Sequence, residues 1–145
     1  MSTPTRGTEL PNIDISPLKR ALTQLEVALQ ARAEKPADDL IRDAVIQRFE
    51  FTYELSVRVL RRYLKHIAAS DEEVDELSFR ELIRRANELN LLQGSVPEWA
   101  AFRQARTDTV HTYNEIRAAE VAAAAKEFAR EARVLLDNLS RRLSE

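Results

Sequence analysis

A chain of 145 residues, 44% hydrophobic and 32% charged, is long enough to fold as one domain around a single core without disulfide or metal support. The absence of cysteine removes thiol catalysis and thiolate metal sites, and only two glycines argue against sandwiches, barrels and glycine-rich nucleotide-binding turns. With a net charge of -2 there is no global attraction for a polyanion, so any contact with nucleic acid must come from a local basic patch.

Residues 1–15 hold two of the five prolines and one of the two glycines, and they read as a loose arm before a helical domain over 16–145. Ser16 followed by Pro17 reads as an N-cap with proline at the first helical position. Leu18, Leu22, Leu25 and Leu29 then recur at helical spacing, giving a first helix to about Ala33. A long second helix is expected from about Asp39 to Ala68, with Ile41, Val45, Phe49, Tyr53, Leu60, Leu64 and Ile67 on its apolar face.

The acidic run after it reads as a solvated loop, in which Asp71, Glu72, Glu73, Asp75 and Glu76 could attract a divalent ion only as a less favoured alternative. Ser78 and Glu81 have capping-box spacing and open a third helix to about Asn90; Ser95 and Glu98 repeat the signal and open a fourth after Gly94. A last, alanine-rich helix is expected from about Asn114 to Leu143. Five helices with short connections imply an all-α, antiparallel, up-and-down bundle of four or five helices. No apolar run approaches the roughly 18 to 20 residues of a membrane span and no signal-peptide core is evident, so a cytoplasmic location with no membrane partner is expected.

Two further groups of residues invite a chemical reading. On the fourth helix Trp99, Phe102 and Val110 form one stripe, and Arg106 falls in its middle, where it must snorkel outward, pair with an acid, or lie in a cleft or subunit interface. His111 follows at about 140° around an ideal helix, so the two side chains converge only if the helix bends or ends near Val110, or if a second copy completes the pair across a two-fold axis. Tyr113 would return to the Arg106 side if the helix continued. Taken alone, a histidine at such a place reads as a capping or surface residue.

Chemically, histidine and arginine together suit cleavage of a phosphodiester. Imidazole can take the proton of a ribose 2'-hydroxyl while guanidinium stabilises the charge on phosphate. No metal site is expected, because His66 and His111 are distant in sequence and no HExxH or paired-aspartate motif accompanies them. Arg58, Arg61, Arg62 and Lys65 share a face of the second helix, extendable by Arg80, Arg84 and Arg85 and joined by Arg103. They read either as a solvated face balanced by Glu50, Glu54 and Glu88 or as a groove contacting RNA phosphates.

Two segments read together carry a resemblance. Residues 48–64, RFEFTYELSVRVLRRYL, resemble the second-helix signature of the small HEPN proteins formerly described as nucleotidyltransferase substrate-binding proteins, and RTDTVHTYNE resembles that family's R-x4-H-x-Y motif, here Arg106, His111 and Tyr113. The likeness runs over nearly the whole chain from about Ser16. It implies a HEPN-like, homodimeric, HepT-like toxin of a type VII MNT and HEPN toxin-antitoxin pair, a metal-independent endoribonuclease requiring no cofactor.

By that resemblance Arg106 stabilises the scissile phosphate and His111 acts in acid/base catalysis in a cleft between subunits. A cognate MNT-type nucleotidyltransferase antitoxin would silence it by attaching AMP to Tyr113, setting bulky anions beside the cleft. The family's motif arginine is commonly followed by Asn or another polar residue that can orient it; Thr107 stands there here, with Asp108 next as the supporting residue. Two alternatives remain, a non-catalytic subunit that presents substrate to a nucleotidyltransferase and a helical scaffold in which Arg106 makes an internal salt bridge.

Overall fold

A computed structural model describes residues 13–144. Its helices are α1 (Ser16–Glu34), α2 (Asp39–Ile67), α3 (Asp71–Asp75), α4 (Phe79–Glu88), α5 (Val96–Asp108) and α6 (Glu115–Leu143), with a 3-10 turn over Thr109–His111. The protein is the all-α bundle expected from the periodicity. The long helices α2 and α6 form its centre, with α1 against both of them and α5 packed mainly on α6. Among the described residues no helix is long and apolar enough to cross a membrane.

Local chemistry sets most helix ends. The Asp38 carboxylate accepts from the backbone N–H groups of Leu40 (2.9 Å) and Ile41 (3.1 Å), opening α2. Both expected capping boxes are present, with Ser78 and Glu81 opening α4 and Ser95 and Glu98 opening α5. α4 ends in a Schellman turn: Asn90 takes a left-handed φ of 58°, its N–H bonds the Asn87 carbonyl, and the Leu91 N–H bonds the Ala86 carbonyl.

Three expectations are corrected. Ser16 does not cap α1: Ile15 occupies the N-cap position, and the Asp14 carboxylate accepts from the Ser16 N–H at 2.9 Å, a bond that lowers the Asp14 pKa. The acidic run is not a loop but contains the five-residue helix α3, capped by Ser70 and pinned by Val74, which is fully buried. Ile67, assigned to the apolar face of α2, lies exposed at its end. Of the segment read as an arm, residues 1–12 lie outside the described residues, while Ile13 and Ile15 pack on the core.

The core joins Leu18, Leu22 and Leu25 of α1 to Phe49, Leu60 and Leu64 of α2 and Phe128, Ala132 and Leu135 of α6. Trp99 and Phe102 bring α5 into it. Their rings meet Phe128 edge-on at 5.8 and 5.5 Å between centroids, and Phe128 meets Phe49 at 5.4 Å. Alanines at 118, 122, 125, 129 and 132 keep the core-facing side of α6 low, so that these large rings fit between helices.

One buried carboxylate locks this arrangement. Glu131 of α6, only 6% exposed, accepts from the backbone N–H groups of Gln93 (3.1 Å) and Gly94 (2.5 Å) and from the Trp99 indole (2.7 Å). A buried anion is tolerable when its oxygens are so supplied with donors. It fixes the α4–α5 connection to α6. Gly94 is required by this close approach, because a Cβ there would collide with a Glu131 carboxylate oxygen.

Replacing Gly94 with Ala is therefore expected to push the carboxylate off its donors and lower stability by about 2 kcal/mol, and Glu131→Ala by about 2 to 4 kcal/mol. Urea unfolding monitored by Trp99 fluorescence measures both. Losses within about 0.5 kcal/mol of zero would contradict the role given to Glu131.

Candidate functional site

The capping box and Pro97 start α5, and burial of Trp99, Phe102 and Ala105 fixes which side faces the bundle. One turn beyond Phe102, Arg106 reaches the edge of that buried stripe, with its side chain 29% exposed. It does pair with acid, as one of the sequence alternatives required. Glu54 Oε1 accepts from Arg106 Nε at 2.9 Å and from Nη2 at 2.5 Å, and Glu50 Oε2 lies 3.1 Å from Nη1. Glu50 and Glu54 are one helical turn apart on α2, so their carboxylates share a face and meet one guanidinium.

α5 stops at Asp108 because hydroxyl groups compete for its last carbonyls. Thr109 Oγ1 donates to the Arg106 carbonyl at 2.7 Å, and Thr112 Oγ1 to the Thr109 carbonyl at 3.1 Å. The 3-10 turn follows, and the Asn114 side chain then caps α6 by accepting from Ile116 and Arg117 N–H groups. Val110 consequently leaves the stripe assigned to it and points to solvent, 67% exposed. The same break places His111 and Tyr113 side by side, their rings tilted 78° at 6.1 Å between centroids. Tyr113 is 84% exposed, an open phenol beside an open imidazole.

Shallow depressions flank Glu50. One, of about 510 Å³, is bounded by Arg42, Gln47, Thr109, Thr112, Tyr113 and Glu115 among others. The other, of about 530 Å³, lies between Gln47, Arg48, Phe51 and Glu54. Arg42 ties the start of α2 to the start of α6 through Glu115 at 2.6 Å, and that bond raises the guanidinium pKa. Beneath the arginine, burial pushes the Tyr53 phenol up to about 12 against the opposing pull of Arg103 and Arg106, so it stays neutral at physiological pH. Val110 and Ile116, on either side of His111 and Tyr113 in the chain, are exposed, as is Phe51 beside Glu50 and Glu54.

The other assigned residues are distributed differently. Asp108 accepts from Gln104 and pairs with Arg117 at 3.2 Å, and so links α5 to α6 rather than supporting Arg106. The basic row divides. Arg61 donates to the Val74 carbonyl at 3.1 Å and Lys65 pairs with Asp75 at 2.6 Å, holding α3 against α2, whereas Arg58 and Arg62 stay outside these contacts. Arg85 meets Glu73, and the Arg103 guanidinium lies 4.8 Å above the Phe79 ring. Among the described residues no group of acidic or histidine side chains has the arrangement of a metal site.

Sequence reasoning missed Glu50, Glu54, Thr109 and Arg42. The i, i+4 spacing of the two glutamates was visible, but they read as balancing charges for the basic row rather than as partners of Arg106.

Comparison with known proteins agrees with this architecture. The family described as nucleotidyltransferase substrate binding protein like matches residues 13–141. A Haemophilus influenzae protein named probable ribonuclease HepT is 36% identical over 105 residues, 72% of this chain and 70% of that protein. A solved Haemophilus influenzae structure, described as the fold of a substrate binding domain of a nucleotidyltransferase, superposes with a TM-score of 0.82 at 28% identity over 88% of this chain and 99% of its own. A crystal structure from Thermus thermophilus superposes with a TM-score of 0.69 at 30% identity, over 84% and 98% of the two chains. A match over nearly the whole described chain, together with the superposition of the bundle, makes this chain a member of the HepT-like family of nucleotidyltransferase substrate-binding proteins.

Proposed function

We propose that the chain is a metal-independent endoribonuclease, the toxin of a cytoplasmic toxin-antitoxin pair, working as a homodimer in which Arg106 and His111 of both copies share one cleft. The observation that carries this reading is the break after Asp108, which turns His111 and Tyr113 outward together just past Arg106. The exposed apolar side chains Val110 and Ile116 that flank them in the chain are of the kind a second copy would cover. The relative named probable ribonuclease HepT supports the activity class.

In the reaction, His111 takes the proton of a ribose 2'-hydroxyl as that oxygen attacks the adjacent phosphorus. The bond to the 5'-oxygen breaks, and an imidazolium of the cleft returns a proton to that leaving oxygen, giving a 2',3'-cyclic phosphate and a 5'-hydroxyl. Arg106 neutralises the charge gathering on the phosphate oxygens. Imidazole and guanidinium suffice for this chemistry without a Lewis acid. A nucleotidyltransferase partner would silence the enzyme by joining AMP to the Tyr113 hydroxyl, which stands open to it. Each phosphate added beside His111 would repel RNA and fill the cleft.

A second reading is favoured by the pairing of Arg106 with two carboxylates and by the description of the Haemophilus influenzae neighbour as a substrate binding domain. In it the chain presents a substrate to a nucleotidyltransferase and cuts nothing.

Cleavage of single-stranded RNA in the presence of a chelator separates the readings. The wild-type chain is expected to cut, and Arg106→Ala or His111→Ala to lower the rate at least about a hundredfold; equal rates for all three, or no cutting by the wild type, would favour the binding-subunit reading. Light scattering is expected to give twice the chain mass, and Val110→Asp with Ile116→Asp to yield monomers without cleavage. Intact-mass measurement of the chain co-expressed with its nucleotidyltransferase should show addition of AMP that Tyr113→Phe abolishes; a modified Tyr113→Phe chain would place the acceptor elsewhere.

A further inference from the structure

Resting on the ribonuclease reading of Arg106, we propose that the two glutamates facing it have separate tasks: Glu54 orients the guanidinium, and Glu50 holds the place that the RNA phosphate takes. Arginine presents five N–H donors in a rigid fork. Glu54 Oε1 engages the Nε and Nη2 side of that fork, at 2.9 and 2.5 Å. The Nη1 side makes only a long hydrogen bond to Thr109 Oγ1 at 3.4 Å, and there Glu50 Oε2 sits as an ion-pair partner at 3.1 Å. Carboxylate and phosphate use the same guanidinium donors, so a glutamate at this edge occupies the seat of a phosphate oxygen.

The number of bonds to the fork, not exposure, decides which glutamate yields. The Glu50 and Glu54 side chains are 36% and 44% exposed, and single ion pairs at such a surface hold their partners weakly. Glu54 makes two hydrogen bonds to the fork, whereas Glu50 pairs with one nitrogen. Glu50 also borders open depressions on either side, so its carboxylate can leave Arg106 by rotating about its own side-chain bonds without moving a helix. Glu54 then keeps the guanidinium aimed while phosphate replaces Glu50.

The exchange reaches the histidine through one hydroxyl. Thr109 Oγ1 lies 3.3 Å from Glu50 Oε2 and 2.7 Å from the Arg106 carbonyl, and its single proton serves one of them at a time. When Glu50 departs, the Thr109 proton is left to the Arg106 carbonyl while its oxygen still accepts from Arg106 Nη1, which firms the start of the turn that ends in His111. Arrival of the phosphate thus tightens the segment carrying the acid/base group. Glu54 is a positioning residue here, and Glu50 competes with the substrate.

Binding of a fluorescein-labelled single-stranded oligoribonucleotide to the full His111→Ala chain, followed by anisotropy, tests the division without cleavage. Adding Glu50→Gln is expected to tighten binding about threefold to tenfold by removing the competing charge, and Glu50→Ala to do the same. In the otherwise wild-type chain Glu50→Gln should lower KM with kcat within about twofold, whereas Glu54→Gln should lower kcat about tenfold or more with a smaller change in KM. Weaker or unchanged RNA binding by both Glu50 variants, with folding verified by thermal unfolding, overturns the proposal, as does an unaltered kcat in Glu54→Gln. Adding Arg106→Ala to the His111→Ala chain tells the two levels apart: if binding does not weaken, the phosphate role of Arg106 fails and this proposal with it; if it weakens while the Glu50 variants bind no better, only the division of roles fails.

Discussion

The early end of α5 is the constraint on which the site depends. Had the helix continued past Asp108, Val110 would have joined the buried stripe and His111 would have stood about 140° from Arg106. Instead a run with three threonines gives the backbone side-chain partners, Thr109 for the Arg106 carbonyl and Thr112 for the Thr109 carbonyl. The cost is one turn of helix. The result is a compact corner with a guanidinium on its last helical turn, an imidazole and a phenol on the turn after it, and a fresh cap at Asn114 where α6 begins.

That corner is useful only if it is held still, and the holding is done by two different kinds of contact. Behind it, Trp99 and Phe102 are set edge-on against Phe128, and the Trp99 indole is further fixed by the Glu131 carboxylate that also binds the α4–α5 connection. In front, Glu54 and Glu50 take the Arg106 side chain as it emerges from the stripe. The first set is buried, hydrogen-bonded and expensive to disturb. The second is half-open and easily exchanged, which suits a group that must receive a charged substrate.

The fold was legible in the sequence because periodicity and capping agree at nearly every helix. Leucines at 18, 22 and 25, the serine and glutamate pairs at 78/81 and 95/98, and the alanine-rich last helix all appear where their spacing puts them. What escaped was local competition between donors. Ser16 looked like a cap, yet Asp14 reaches its N–H, and the acidic run looked solvated, yet Val74 gives α3 a buried anchor and Lys65 and Arg85 neutralise its acids. Within the site, the motif residues were visible as residue types at a spacing. Their neighbours were not, because the pairing of Glu50 and Glu54 with Arg106 joins segments far apart in the chain and depends on how α2 lies against α5.

The basic residues teach the same lesson in the other direction. Arg61 and Lys65 share a helical face with Arg58 and Arg62 in the sequence, but the structure employs the first two in fastening α3 and leaves the other two outside those contacts. Charge counted along a helix is therefore not charge available to a ligand. For the motif itself, the account turns on a pocket formed between two copies, and mixed dimers examine that point directly. Chains bearing Arg106→Ala, co-refolded with chains bearing His111→Ala, retain one guanidinium and one imidazole in each shared cleft; the account predicts that the mixture regains RNA cleavage that neither variant has alone. A mixture as inactive as its components, beside an active wild type, would contradict a shared cleft.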